Sequence, residues 1–145
     1  MRSLSIILLL FLFGCGTGSS DTPTTTTAPT KHVPILSNLG YSSDTYFVGQ
    51  GSGLVNAFAH FDFSDSNGDL SSITVDVKDS SGSLLYTSTT PISPDMSGLH
   101  NGMISSVPIV ISTTISHTIS FYIYVTDHAD LRSNTLTGNV SVISY

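Results

Sequence analysis

The side chains best suited to binding chemistry in this sequence are six oxygen donors in two short segments. FDFSDSNGDL, residues 61–70, carries four of them, and TDHADL, residues 126–131, carries the other two. They are Asp62, Asp65, Asn67, Asp69, Asp127 and Asp130. Carboxylate and amide oxygens suit Ca²⁺, because this cation takes about six to eight hard oxygen ligands. If the two segments meet in space, they predict a calcium site, and Ca²⁺ is the one cofactor that the sequence suggests.

A second interpretation of the same residues needs no metal. Asp and Asn near Gly are common turn formers, because their side chains accept hydrogen bonds from the following backbone and tolerate left-handed conformations. The spacing does not match an EF-hand, since Gly68 comes two positions early and Leu70 stands where that loop requires glycine. Calcium binding and simple turn formation are therefore both open interpretations of these segments.

The remaining reactive residue types do not form a catalytic set. The chain has no Glu, and no two of its five histidines have the spacing of a zinc pair. Gly51-Ser52-Gly53 lacks the flanking residues of a G-x-S-x-G nucleophile motif. Because no nucleophile and base are paired by spacing, we predict a protein that is not an enzyme.

The single cysteine, Cys15, lies where an apolar segment ends. A Met-Arg start followed by Leu4 to Phe13, with one polar residue among ten, is typical of a secretory signal. Leu12-Phe13-Gly14-Cys15 resembles the lipobox of bacterial lipoproteins, with Phe13 as its departure from the usual small or β-branched residue. The resemblance implies a signal peptide over residues 1–14, cleavage before Cys15 and acylation of its sulfur. The other interpretation is an ordinary signal with a chance cysteine.

The residues after Cys15 predict a tether. Residues 16–31 contain seven Thr, two Pro and no large apolar side chain, so they cannot bury enough surface to order themselves. This linker can reach about 50 Å at full extension. Gly16, in place of the Asp that retains lipoproteins at the inner membrane, implies delivery to the outer membrane or cell surface in a Gram-negative cell. We expect an exported, lipid-anchored protein with a lipidated linker over residues 15–31.

Residues 32–145 predict one all-β domain. Apolar and polar residues alternate in short segments bounded by Gly, Asn, Asp and Ser, and no helical period follows Cys15. Seven such segments predict an antiparallel β-sandwich of the immunoglobulin-like type, with Pro108 on an edge or solvent-facing strand position. The predicted strands are residues 33–38, 54–63, 72–78, 83–88, 106–112, 117–126 and 135–144.

Two stretches of this domain resemble bacterial immunoglobulin-like and cadherin-like surface modules. They are FDFSDSNGDLSSITVDVKDSSG, residues 61–82, and DHADLRSNT, residues 127–135. The resemblance implies a sandwich used for adhesion, assembly or spacing, in some cases stabilised by calcium. In an immunoglobulin-like topology, the connections that hold the two acidic segments emerge at the same end of the domain.

Charge and exposed aromatic residues limit the partners. The net charge of −6 disfavours direct binding of nucleic acid or anionic lipid by the domain and leaves protein or glycan partners open. Outward-facing Phe58, Tyr122 and Tyr124 could form a binding patch, although we expect the long connection over residues 91–103 to cover them. We predict a non-catalytic binding or adhesion module anchored to the envelope by lipid. The alternative is a structural accessory subunit of an envelope or secretion complex.

Overall fold

Alternation of apolar and polar side chains produces eight β-strands in this chain. The computed structural model describes residues 31–48, 53–96, 98–113 and 117–144, so Cys15 and the predicted signal peptide lie outside the described residues. The strands are β1 Ile35–Tyr41, β2 Thr45–Val48, β3 Leu54–Ser64, β4 Leu70–Lys78, β5 Leu84–Pro91, β6 Asn101–Ser112, β7 His117–Asp127 and β8 Leu136–Ser144.

The strands form two sheets. One has the order β1-β3-β6, and the other has the order β2-β8-β7-β4-β5. Every pair is antiparallel except β2 with β8, which is parallel. The connections that cross between the sheets are those of an immunoglobulin-like sandwich, so the predicted all-β fold class is confirmed. The described residues contain no helix with the length and apolar character that crossing a membrane requires.

The inner faces of the sheets carry the predicted apolar residues. In β3, Val55, Ala57, Ala59, Phe61 and Phe63 are buried, while the residues between them face outward. This follows from the two-residue period of a strand, which sends alternate side chains to opposite faces. The matching predictions for β6, β7 and β8 are also confirmed, with Val107, Ile109, Ile111, Ile119, Phe121, Ile123, Val125, Val140 and Val142 all buried.

Most strand bounds agree with the prediction to within three residues, and two strands differ by more, for identifiable reasons. β2 was missed because four residues are too few to show alternation and because its partner β8 lies far along the chain. β6 begins at Asn101 rather than at residue 106, because a bulge interrupts its alternation. The register shifts opposite Ala59 and Phe61, and Ser106 adopts a positive φ of 60°. Ile104 on one side of the bulge and Val107 on the other therefore both point inward.

Pro108 lies in β6, which is an edge strand of its sheet. It stands opposite Phe58 of β3, and its side chain is exposed. Proline has no backbone N–H to donate, so an edge position is one of the few in a sheet that accept it. The expected edge position of Pro108 is confirmed.

A glycine allows a fully buried core ring to lie against the sheet. Phe121 is fully buried and stands opposite Gly138 across the β7–β8 pair. A Cβ atom on Gly138 would overlap with Cζ of Phe121. The ring of Tyr41 meets Phe121 edge-on, with 5.2 Å between ring centroids and 89° between planes. The two aromatic rings and the bare backbone of Gly138 thus join β1, β7 and β8.

Replacing Gly138 by Ala is expected to destabilise the domain by about 1–3 kcal/mol, the usual cost of overpacking a core. The physical reason is the contact with Phe121, which cannot retreat because its ring is enclosed on all sides. Urea unfolding would measure the loss. Ser141→Ala, at an exposed position of the same strand, is the matched control and should change stability little. Equal stabilities for both variants and the wild-type chain would contradict this packing account.

Candidate functional site

The two acidic segments meet at one end of the sandwich. β4 and β7 are antiparallel neighbours, so the start of β4 lies beside the end of β7, and Leu70 stands opposite Asp127. The N–H of His128 donates to the carbonyl of Asp69 at 2.9 Å, which joins the two connections directly. The predicted convergence of these connections is confirmed.

Asp65 organises the connection between β3 and β4. Its side chain is fully buried. One carboxylate oxygen accepts the N–H of Asn67 at 3.2 Å, and the other accepts the N–H of Asp69 at 2.9 Å. The N–H of Gly68, which has a φ of 67°, donates to the Asp65 carbonyl at 3.2 Å. Both carboxylate oxygens of Asp65 are therefore engaged in holding a turn, as the turn interpretation expects.

Asp127 forms a similar turn with one of its oxygens only. Its Oδ1 accepts the N–H groups of Ala129 and Leu131, each at 2.8 Å. Its side chain is 1% exposed, and its Oδ2 is buried with no hydrogen-bond partner among the described residues. The carboxylate thus shapes its connection with one oxygen and leaves the other available.

Asp69 supplies a second buried carboxylate oxygen at this end of the domain. Its Oδ1 is also buried without a hydrogen-bond partner within the described part of the chain. Burial raises the pKa of the Asp69 carboxyl above its ordinary value, and the charges of Asp127 and Asp65 raise it further. A buried, unpartnered carboxylate oxygen is unfavourable. This end of the domain, hereafter the acidic end and defined by Asp65, Asp69 and Asp127, concentrates negative charge in a poorly solvated place.

The other three predicted ligands lie in different surroundings. The Oδ2 of Asp62 accepts a hydrogen bond from the side-chain amide of Asn38 at 2.7 Å on the outer face of β3. Asn67 is exposed in the first acidic connection, and Asp130 is exposed in the second with a positive φ of 60°. No group of three or more His, Cys, Asp or Glu among the described residues is arranged by itself to hold a metal ion.

Asp79, at the opposite end of the domain, forms the same kind of turn. Comparing it with Asp69 shows how the surroundings of the carboxylate change its pKa. Oδ1 of Asp79 accepts the N–H groups of Ser81 and Ser83, both at 2.9 Å, and the Ser81 hydroxyl at 2.6 Å. The Ser81 hydroxyl, followed by these amides, lowers the pKa of the exposed Asp79 carboxyl. At the acidic end, burial and neighbouring carboxylates instead raise the pKa of Asp69.

The connection between β5 and β6 packs on the acidic end, which the sequence analysis missed. The Asp65 N–H donates to the carbonyl of His100 at 2.7 Å, and the Gly98 N–H donates to the carbonyl of Gly68 at 2.8 Å. A Cβ on Gly68 would lie 3.0 Å from the backbone of Gly98. The glycines themselves are the signal that could have indicated this close approach of two backbones.

The outward-facing aromatic residues do not form one patch. Phe58 lies on β3, whereas Tyr122 and Tyr124 lie on β7 in the other sheet, so they face opposite sides of the sandwich. The Nζ of Lys78 lies 4.8 Å from the centre of the Tyr122 ring, and the guanidinium of Arg132 lies 3.5 Å from that of Tyr124. These cations lie over the tyrosine rings, whereas Ile92 and Met96 of the connection that we expected there pack against the core.

Comparison with known proteins gives no family for this chain. No family model matches it, and no curated protein matches it. Among solved structures, one similar chain is a CARDB domain of a Pyrococcus furiosus protein, crystallised in complex with di-metal ions. The TM-score is 0.41 and the identity 16%, over 81% of this chain and 95% of that chain. Similarity at this level says nothing about what this chain binds.

Replacing Asp69 by Asn is expected to stabilise the metal-free domain at neutral pH. Because the pKa of Asp69 is raised in the folded state, its ionised form is better tolerated in the unfolded chain. The resulting loss of stability is absent below the ordinary pKa and grows as pH rises through the raised value. Thermal unfolding in EDTA from acid to neutral pH should therefore show an increasing advantage of the Asn variant, reaching a few degrees.

Asp79→Asn is the matched control with the opposite expected sign. The pKa of Asp79 is lowered in the folded state, so its contribution is present above the ordinary pKa and is lost as pH falls through the lowered value. This variant should therefore be less stable than the wild-type chain at neutral pH. Identical pH profiles for Asp69→Asn and wild type would contradict the assigned environment of Asp69.

Proposed function

We propose that this protein is an exported, lipid-anchored envelope protein whose immunoglobulin-like domain is a non-catalytic binding module stabilised by Ca²⁺ at the acidic end. The observation that carries the calcium part is the pair of buried oxygens, Asp69 Oδ1 and Asp127 Oδ2, that lack hydrogen-bond partners among the described residues. Buried polar atoms are normally satisfied, so two carboxylate oxygens of one acidic group without hydrogen-bond partners favour a cation as their ligand.

Asp69 and Asp127 are the side chains that would bind the cation directly. Asp65 contributes its charge and holds the turn, because its two oxygens already accept backbone N–H groups. The described residues contain no ready-made group of three such side chains, so these two carboxylates would need further ligands. Backbone carbonyls and water would complete the set, as Ca²⁺ allows through its flexible coordination. The cation would neutralise the mutual repulsion of the carboxylates and tie the two acidic connections together.

The chain enters the domain at this same end. The first residue of β1, Ile35, stands opposite Ser64, which directly precedes Asp65. The Leu36 N–H donates to the side-chain oxygen of Asn134 at 2.7 Å, and the Asn134 amide donates back to the Leu36 carbonyl at 3.0 Å. Asn134 belongs to the connection that follows Asp127. Calcium here would therefore stiffen the junction between the linker and the domain, with the opposite end and the sheet surfaces left for partners.

The lipid anchor rests on the lipobox around Cys15. An acyl-linked Cys15 followed by a Thr-rich linker would hold the domain at the outer surface of an envelope membrane, within reach of a protein or glycan partner. Two or three acyl chains give durable membrane attachment, unlike one. The acidic charge of the chain agrees with a domain that does not itself lie on anionic lipid.

Millimolar Ca²⁺ is expected to raise the melting temperature of residues 31–145 by several degrees relative to EDTA. A cation at about a hundred times its Kd stabilises the folded state by about 2.7 kcal/mol. Asp69→Asn and Asp127→Asn should abolish the response while preserving the shape of each side chain. Asp62→Asn is the control, since it removes an equal charge outside the acidic end and should keep the response. Superimposable melting curves in the two buffers would contradict the calcium proposal.

Cys15→Ser is expected to abolish both incorporation of labelled palmitate and tight membrane association when the full chain is expressed in a Gram-negative host. The control is the double variant Cys15→Ser, Ser20→Cys, which restores a cysteine outside the motif and should remain unlabelled. Palmitate labelling of Cys15→Ser equal to that of the wild-type chain would contradict the anchor. The calcium response of the domain does not depend on this result.

A further inference from the structure

One flank of the sandwich is open. β5 is an edge strand of one sheet and β6 is an edge strand of the other, and a cavity of about 200 Å³ lies between them. Its walls include Ile73 and Val75 of β4, Ile104 and Val107 of β6, and Ser88 and Thr90 of β5. The β5–β6 connection adds Ile92, Ser93 and Met96, so the lining combines core side chains, small residues of the β5 edge and part of this connection.

Three of the four sheet edges in the described structure carry a feature that hinders pairing with another chain. β1 is irregular between Ser37 and Gly40. β2 has only four residues. β6 carries both the bulge at Ser106 and Pro108. Bulges, prolines and short length are the usual devices that protect edge strands.

β5 lacks these devices over most of its length. Its sequence LLYTSTTP has no charged residue, and its one proline is the last residue of the strand. From Tyr86 to Pro91 it pairs with β4 in unbroken register. Leu84, Leu85 and Tyr86 are 59%, 49% and 42% exposed. An uncharged, regular edge with exposed apolar side chains is a template for another β-strand.

We propose that β5 pairs with β5 of a second copy of this chain, antiparallel and with a two-fold axis midway between the two Ser88 residues. Directly opposite residues of an antiparallel pair lie on the same face, so the axis must lie between two copies of the same residue. Centring on Ser88 brings Thr87 opposite Thr89 and Tyr86 opposite Thr90, all within the stretch that pairs with β4 in unbroken register. No like charges meet in this register, because β5 carries none.

A second copy of this chain suits this edge because its exposed Tyr86 ring would cover the open flank. Ser88 and Thr90 share the inner face with Val75 and Ile73, which stand opposite them on β4. Tyr86 stands opposite Val77 and belongs to the same face. In the proposed register the partner's Tyr86 comes opposite Thr90, at the cavity. Each copy would thus place an exposed aromatic ring over the open flank of the other.

The nearest charged group on this part of the sheet is compatible with the pairing. Asp76 of β4 accepts the hydroxyl of Thr87 at 2.8 Å on the outer face. Thr74 and Thr89 are joined through their hydroxyls at 3.0 Å on that face. These contacts hold the outer-face side chains of β5 against β4, which is the one strand of the described structure that pairs with β5.

Cysteine cross-linking of the full chain tests the register. Opposite residues of an antiparallel pair have Cα atoms about 4.5–5.5 Å apart, within disulfide range. Ser88→Cys on the axis is therefore expected to form a disulfide-linked dimer on mild oxidation in the membrane or in detergent. Thr90→Cys is the matched control, because its Cα atoms would be about 14 Å apart in the dimer. Thr90 is also the more exposed position, so random collision would favour the control.

The expected result is at least tenfold more dimer for Ser88→Cys than for Thr90→Cys or for the wild-type chain, which carries only Cys15. Adding Tyr86→Lys to Ser88→Cys should reduce the yield of dimer about tenfold, because a charge then faces the cavity of the other copy. Tyr86 is exposed, so this substitution should preserve folding. Equal yields for the two cysteine variants, or monomer for both, would overturn the proposal. A Ser88→Cys adduct with a different protein would also overturn it, in favour of a heterologous strand on the same edge.

Discussion

The antiparallel pairing of β4 with β7 determines where the other features of this domain lie. It forms the centre of the five-stranded sheet and carries Val75, Val77, Ile123 and Val125 into the core. It also brings the start of β4 beside the end of β7, which places Asp69 and Asp127 together. Because β5 follows β4 on the outer side, the same pairing leaves β5 as the edge of the sheet. One ladder thus positions the core, the acidic end and the open flank.

At the acidic end, turn formation and metal binding are compatible uses of the same residues. A carboxylate has two oxygens, and Asp127 uses one of them to cap its connection while the other has no partner in the described structure. Asp65 uses both oxygens for its turn. The two interpretations of the acidic segments are therefore compatible, because one oxygen of a carboxylate can hold the turn while the other is available for a cation. Turn geometry creates the preorganised acidic group, and the repulsion within that group is what the proposed cation would relieve.

The two ends and the flank of the sandwich have different physical character. The acidic end is where β1 begins, and it is held by buried carboxylates, the side-chain amide of Asn134 and the β5–β6 connection. The opposite end has exposed turns such as that of Asp79, whose hydrogen bonds stabilise its charge. The flank between β5 and β6 is uncharged and combines apolar core side chains with Ser and Thr residues. The carboxylates that carry the calcium proposal and the strand edge that carries the pairing proposal therefore lie in separate parts of the domain.

The sequence by itself determined the fold class, the inward face of most strands and the existence of two acidic turns. These properties are local, because a strand shows its period within a few residues and an Asp turn involves its next four. Tertiary structure alone decided that Asp65, Asp69 and Asp127 lie together while Asp62 faces Asn38. It also decided that β2 joins β8, and that Phe58 and Tyr122 occupy different sheets. Each of these depends on pairing between residues distant along the chain, where bulges such as the one at Ser106 shift the register and so change which side chains meet.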